Sequence, residues 1–121
     1  MIPFLDEHFD AVLAISVLEH NVREGVETAI AEIFRTLRPK GKVLAAFCPR
    51  SRWISKNDPK LEMIEDNTLK SYGPEEMLHH LVDEEGLREL FAEFTILSID
   101  HQKEEWDGGS SAELFISAQK P

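Results

Sequence analysis

Residues 9–20 read FDAVLAISVLEH, and the expected architecture of the chain follows from them. The apolar run from Ala11 to Ile15 is too short for a full helix. It begins after Asp10 and stops at a serine, as a central parallel strand covered on both faces would. The pattern therefore predicts a buried strand over 11–15, followed by a small polar residue and then by an acidic and an imidazole side chain, Glu19 and His20.

The size and charge of the chain limit its architecture and its partners. The sequence has 121 residues, of which 42% are hydrophobic, so we expect at most one layered domain. The formal net charge of −10 argues against binding to nucleic acid or to an anionic membrane surface. Cys48 is the sole cysteine, and no segment has the length of a membrane span or the layout of a signal peptide. The expected compartment is the cytoplasm.

A helix and a second strand are predicted after the first strand. Apolar residues recur at steps of three and four, which predicts a helix over about Val22–Leu37. Asn21 and Glu24 have the spacing of a capping box at its start. The apolar run at 42–47 then completes a β-α-β unit, so the two strands should be parallel neighbours.

The second half of the sequence is less regular. Residues 49–72 mix charge and helix breakers, which is typical of a lid-like insert. A helix is predicted to start at Gly73-Pro74-Glu75-Glu76 and to continue to Phe91, with Gly86 as a break within it. Strand formers at 94–100 and 113–119 then predict an antiparallel hairpin.

These segments resemble the C-terminal half of a class I S-adenosylmethionine-dependent methyltransferase of the type 11-like group. Residues 3–20 are similar to the family's fourth-strand region, and residues 32–44, EIFRTLRPKGKVL, are similar to its following helix and fifth strand. Residues 72–77, YGPEEM, and the closing 118–120 resemble its last helix and last strand. Nearly the whole chain apart from the insert is covered.

The resemblance implies an α/β fold, namely a Rossmann-like half-sheet with helices packed on its faces. Two parallel strands would correspond to the family's fourth and fifth, and the antiparallel terminal hairpin to its sixth and seventh, in the order 4-5-7-6. Residues 1–121 would form a single partial domain. The family's Gly-rich loop and the acidic residue that binds the ribose have no counterpart in the sequence. We therefore expect a fragment of a longer enzyme, or a chain that has lost its cofactor site.

An incomplete sheet of this kind would leave the first strand as an open edge. An apolar, unpaired strand edge is a template for association. The expected partner at this edge is therefore either the missing N-terminal half or a second copy in a homo-oligomer.

The carboxyl ends of parallel strands are where open α/β sheets bind ligands, which directs attention to the end of the first strand. By resemblance, Ile15, Ser16, Val17 and Leu18 would lie along the cofactor, S-adenosylmethionine. Glu19 and His20 would point towards the cofactor or the methyl acceptor, with His20 as the candidate base because imidazoles titrate near neutrality. The alternative is that both side chains only orient the following helix through hydrogen bonds.

Two further sets of residues are weaker candidates. Arg50 and Trp53 offer a charged fork and a stacking face for an anionic or planar acceptor, or else belong to a solvated loop with one anchoring tryptophan. The histidines have no metal-binding spacing, so no metal is expected. The variant is a divalent-metal site formed by Glu19 and His20 with His79 or His80, as in some RNA-methylating relatives of the family.

The function expected from the resemblance is methyl transfer from S-adenosylmethionine to a small-molecule acceptor by the intact parent protein, with this chain alone inactive. The alternative is a non-catalytic, methyltransferase-like interaction module that associates through the open strand edge. A third reading is an unrelated small α/β domain, which a strand order other than 4-5-7-6 would reveal.

Overall fold

The computed structural model describes residues 3–15, 17–49, 61–72, 76–107 and 109–121. Within these ranges the chain forms two helices, α1 (Arg23–Thr36) and α2 (Glu84–Leu90). Its strands are β1 (Phe9–Ile15), β2 (Leu37–Phe47), β3 (Leu61–Glu65), β4 (Thr68–Tyr72), β5 (Glu76–His80), β6 (Thr95–Trp106) and β7 (Gly109–Gln119). Of the helices in this described part, none is long and apolar enough to cross a lipid bilayer.

The main sheet has four strands in the order β1-β2-β7-β6. β1 and β2 are parallel, whereas β7 is antiparallel to both β2 and β6. The mixed α/β sheet, the terminal hairpin and the order of strands therefore agree with the prediction. The pairing differs in detail, because the register of β1 shifts between Phe9 and Ala11 and β2 begins at Leu37 rather than at Lys42.

One face of this sheet packs against both helices and forms the core. Successive side chains of a strand point to opposite faces, and Val43, Ala45 and Phe47 of β2 all lie on the helix side. They meet the apolar stripe of α1 and the aromatic pair that follows α2. The buried residues of this core include Ala14, Leu18, Val26, Ile30, Ile33, Leu37, Leu87, Phe91, Phe94, Leu114, Ile116 and Ala118.

The prediction that the first strand is covered on both faces is wrong. Ala14 is the one buried residue of β1. Leu13 and Ile15 keep 73% and 45% of their surface exposed. The apolar run indicates that both faces of β1 are apolar. The helices in the described part of the chain pack against one of these faces. The predicted position of the strand is confirmed, since β1 lies at the edge of the sheet.

A second sheet replaces the irregular insert and much of the predicted third-quarter helix. β3, β4 and β5 form an antiparallel sheet in that order. Residues 76–80 are therefore a strand, and the helix predicted from Gly73 starts only at Glu84. Gly73-Pro74-Glu75 and residues 50–60 of the insert lie outside the described residues. The apolar spacing of Met77, Leu78, Leu81 and Val82 suits a helix, but residues 76–80 pair with β4, and this pairing overrides the local pattern.

Both helices begin differently from the sequence prediction. The N-cap of α1 is Val22, and the capping box of Asn21 and Glu24 does not form. The Asn21 side chain instead accepts a hydrogen bond from the Val22 backbone at 2.8 Å. In α2, Asp83 is the N-cap and accepts a bond from the Gly86 amide at 2.7 Å. Gly86 therefore belongs to the first turn of α2 and does not break a longer helix.

The carboxyl end of α1 is capped by the other end of the chain. The Nζ atom of Lys120 donates to the carbonyls of Phe34 and Leu37 at 2.8 and 2.9 Å, and it lies 4.7 Å from the centre of the Phe34 ring. The last carbonyls of a helix have no partner within the helix and carry partial negative charge. The Lys120 ammonium group satisfies two of these carbonyl oxygens at once.

Replacing Lys120 by methionine should lower the free energy of unfolding by about 1–2 kcal/mol, since a charged donor and its favourable interaction with the helix end are both lost. Urea denaturation measures the change. Lys103→Met, at an exposed position of β6, is the matched control and should leave the unfolding midpoint unchanged. Equal midpoints for both variants would show that Lys120 does not cap the helix.

Candidate functional site

Glu19 joins three elements at the carboxyl end of the main sheet. It follows β1, and only 4% of its surface is exposed. Its carboxylate accepts a hydrogen bond from the backbone amide of Cys48, directly after β2. Its backbone carbonyl accepts a bond from the His80 amide of β5 at 2.6 Å. A buried carboxylate is tolerated only when it is hydrogen-bonded, so Glu19 is positioned to hold these three chain segments together.

His20 lies beside Glu19 and contacts β5. Its Nδ1 atom is 3.1 Å from the carbonyl oxygen of Leu78, and its ring meets the ring of His79 edge to face at 5.3 Å between centroids. Its Nε2 atom is 3.9 Å from Oε1 of Glu19, which is too long for a direct hydrogen bond. About a third of the side chain, 34%, is accessible to solvent. The two predicted catalytic residues are thus adjacent at the rim.

The residues predicted to line the cofactor are split by the fold. Ile15 and Val17 are exposed at the carboxyl end of β1, where a ligand can reach them. Leu18 is buried in the core with α1. Ser16 lies outside the described residues, as do the predicted acceptor-binding residues Arg50 and Trp53. Their assignment to ligand binding stays a prediction.

A chain of hydrogen bonds that the sequence did not suggest runs from β5 to the start of α1. The Nδ1 atom of His80 is 2.9 Å from Oγ1 of Thr68, and Thr68 donates to the carboxylate of Glu65 at 2.9 Å. The same carboxylate oxygen accepts the backbone amide of Arg23 at 2.8 Å. Glu65 therefore provides the N-terminal acceptor that the predicted capping box was expected to supply.

A local signal for part of this arrangement was present in the sequence. Asp66-Asn67 is turn chemistry, and Asn67 adopts a left-handed conformation with φ of 61° in the turn between β3 and β4. That turn brings Glu65 and Thr68 onto the same end of the second sheet. The pairing of Glu65 with a helix start 42 residues earlier has no sequence signature.

The pKa values of Glu65 and His80 are both shifted by their surroundings in this network. The amide of Arg23 and the hydroxyl of Thr68 stabilise the ionised carboxylate and lower the pKa of Glu65. Burial lowers the pKa of His80, of whose surface only 2% is exposed, and the nearby Arg23 guanidinium acts in the same direction. The network thus favours an ionised Glu65 beside a neutral His80.

The variant metal site is not supported by the described residues. Among them, no group of three or more His, Cys, Asp or Glu side chains is arranged to hold a metal ion. His20 contacts the Leu78 carbonyl, and His80 contacts Thr68. The Cys48 side chain is buried beside Leu69 and Leu81, in an apolar environment that suits a thiol acting as a small hydrophobe.

Comparisons with known proteins identify the architecture. The sequence model of the methyltransferase domain family matches residues 1–45, which include β1, α1 and most of β2. A structure of a SAM-dependent methyltransferase from Methanosarcina mazei superposes with a TM-score of 0.77 at 20% identity, covering 99% of this chain and 63% of that chain. The fold is a methyltransferase fold. The resemblance predicted from the sequence is confirmed.

Other structures share this methyltransferase fold at similar distance. A Pyrococcus horikoshii protein has a TM-score of 0.71 at 18% identity, with 100% of this chain and 56% of that chain covered. The 1,6-didemethyltoxoflavin-N1-methyltransferase of Burkholderia thailandensis, solved with 1,6-didemethyltoxoflavin and S-adenosylhomocysteine, has a TM-score of 0.70 at 21% identity, with 98% and 47% covered. This chain therefore spans about half to two thirds of these structures. No protein with a curated description matches the sequence.

The buried imidazole makes stability depend on pH. An imidazole in the unfolded chain titrates near 6.5, whereas the pKa of His80 in the methyltransferase fold is lower. Between these two pKa values the unfolded state binds more protons, so the free energy of unfolding falls as the pH drops below about 6.5, by up to about 1.4 kcal/mol per pH unit. Above that range the contribution is constant.

Urea denaturation between about pH 5 and pH 7.5 measures this slope. His80→Asn cannot take up a proton in that range and should have a flatter profile. The pKa of Glu65 is lowered from a reference of 4.5, so its own titration falls at more acidic pH and does not overlap. Identical profiles for the wild type and His80→Asn would contradict the assignment.

Proposed function

We propose that this chain forms the acceptor-side part of a methyltransferase that uses S-adenosylmethionine and methylates a small molecule. The supporting observation is the position of Glu19 and His20 at the carboxyl end of β1 within a methyltransferase fold. Parallel α/β sheets bind their ligands at this end. The bound S-adenosylhomocysteine in the Burkholderia thailandensis relative supports the choice of cofactor.

The residues of this chain fit one wall of a cofactor site. Ile15 and Val17 present apolar surface at the strand end, which suits the uncharged parts of such a ligand. Ser16 is proposed to join them, and Leu18 supports the wall from the core. The relatives are longer than this chain, so the contacts to the ribose and the carboxylate are proposed to come from polypeptide beyond it. S-adenosylmethionine would supply the electrophilic methyl group.

His20 is the proposed proton acceptor of the reaction. Methyl transfer requires mainly proximity and orientation, and it requires a base only when the acceptor starts protonated. Glu19 is proposed to hold the loop rather than to react, because its carboxylate is buried against the Cys48 amide. Arg50 and Trp53 remain the proposed contacts to the acceptor.

A second candidate is a non-catalytic interaction module. The unpaired edge of β1 and the exposed Leu13 and Ile15 favour it, because such an edge pairs readily with another strand. The partner is proposed to be the complementary N-terminal half or a second copy of this chain. We propose that either form is cytoplasmic, since the sequence has one cysteine and therefore no internal disulfide that would indicate an oxidising compartment.

Calorimetry with S-adenosylhomocysteine tests the enzymatic proposal. The isolated chain should bind weakly or not at all, whereas a longer form that carries a Gly-rich cofactor loop should bind. In that longer form, His20→Ala should reduce methyl transfer while S-adenosylhomocysteine still binds. A longer form that fails to bind S-adenosylhomocysteine would overturn the enzymatic proposal. Tight binding of S-adenosylhomocysteine by the isolated chain would show that no second half is needed.

Sedimentation tests the proposed association through β1. The isolated chain should sediment above its monomer mass, and Leu13→Lys should shift it towards the monomer, since a charge at the open edge opposes strand pairing. Leu97→Lys, at an exposed position of the opposite edge strand, is the control and should not shift it. A monomeric wild-type chain whose amides at 11–15 are protected from exchange would contradict association through this edge.

A further inference from the structure

The contact between His20 and β5 determines which ring nitrogen carries a proton. A carbonyl oxygen accepts hydrogen bonds but cannot donate them. The Nδ1 atom of His20, at 3.1 Å from the Leu78 carbonyl, must therefore be the protonated nitrogen of the neutral ring. In a neutral imidazole the other nitrogen then bears a lone pair. That nitrogen is Nε2.

A second bond holds β5 against the same loop. The His80 amide donates to the Glu19 carbonyl at 2.6 Å, next to the bond between Leu78 and His20. Two consecutive residues of the loop, Glu19 and His20, are thus bonded to two alternate residues of one strand. The ring of His20 also contacts the ring of His79, with 5.3 Å between the ring centroids.

The strand itself is anchored to the start of α1. His80 contacts Thr68, Thr68 donates to Glu65, and Glu65 accepts the amide of Arg23. Arg23 follows His20 by three residues, so these hydrogen bonds and the backbone from His20 to Arg23 together form a closed network. This network resists movement of β5 away from His20, because each bond limits the others.

We propose that β5 is the positioning element of His20, and that the Leu78 carbonyl fixes its Nδ1–H tautomer so that Nε2 is the nitrogen that accepts a proton or a hydrogen bond. A proton leaving the acceptor would bind Nε2 and produce an imidazolium ion. That ion still donates through Nδ1–H to Leu78, and it lies 3.9 Å from the Glu19 carboxylate, which stabilises the positive charge. The tautomer follows from the geometry alone, and the role as a base rests on the proposed function.

Long-range proton–nitrogen NMR of the ¹⁵N-histidine-labelled chain reads the tautomer directly. When the ring of His20 is neutral, its Nδ1 resonance should be that of a protonated nitrogen and its Nε2 resonance that of an unprotonated one. The exposed His101 is the internal reference and should show the averaged signals of a freely exchanging ring. A protonated Nε2 in neutral His20, or averaged signals like those of His101, would overturn the proposal.

Two substitutions separate the holding role from the chemical role. In His20→Asn the side-chain amide lies near the position of Nδ1, so it can still donate to Leu78, but no group replaces Nε2. In His20→Gln the amide lies near Nε2 instead. The urea midpoint should be retained in His20→Asn and reduced in His20→Gln, and the opposite order would contradict the assignment of Nδ1.

In the longer, cofactor-binding form, His20→Asn should lower the rate of methyl transfer by about 10²-fold or more, because general-base catalysis contributes at least that much. The two proposals fail separately. Binding of S-adenosylhomocysteine together with an Nε2–H tautomer overturns only the positioning role, whereas an Nδ1–H tautomer without any such binding overturns only the enzymatic function.

Discussion

The rest of the structure depends on one buried carboxylate. Glu19 lies after the edge strand, almost fully removed from solvent, where an ionised side chain is costly unless its oxygens are satisfied. The Cys48 amide provides one of its hydrogen bonds, which ties the ends of β1 and β2 together. The His80 bond to its carbonyl adds the second sheet. The Pro49–Val82 bridge, the contact of His20 with the Leu78 carbonyl and the apolar cluster of Cys48, Leu69 and Leu81 add to these links in the same region.

The different proposed roles of Glu19 and His20 follow from the difference in their burial. Both expectations for this pair, chemistry or orientation through hydrogen bonds, were open from the sequence. Glu19 is buried, and its hydrogen bonds join the strand ends. His20 is partly exposed and combines an Nδ1 atom that contacts the Leu78 carbonyl with a second ring nitrogen, Nε2. Adjacent residues of one turn, closed by the bond from the His20 amide to the Val17 carbonyl, can therefore serve both purposes, because Glu19 is buried and His20 is partly exposed.

The sequence predicted the parts of the fold whose signals are local. The periodicity of α1 located that helix to within one residue at each end, and the resemblance supplied the order of strands in the main sheet. The second sheet was missed because the apolar spacing at 77–82 is that of a helix, whereas the pairing of residues 76–80 with β4 makes them a strand. The exposure of Leu13 was missed for a related reason, since an apolar run does not say whether a second layer is present to cover it. The network from His80 to Arg23 joins residues distant in sequence, which no local pattern encodes.

The two ends of α1 have a consequence for the order of folding. The amide of its first residue, Arg23, donates to a residue 42 positions later, and two carbonyls at its carboxyl end accept from a residue 83 to 86 positions later. Closing loops of this length costs entropy before any contact is gained, and contacts distant in sequence slow folding. During synthesis α1 therefore leaves the ribosome well before Lys120, which completes the capping of its carboxyl end. Until then its apolar stripe lacks the core residues that β7 contributes, and an apolar surface left uncovered during this interval favours aggregation.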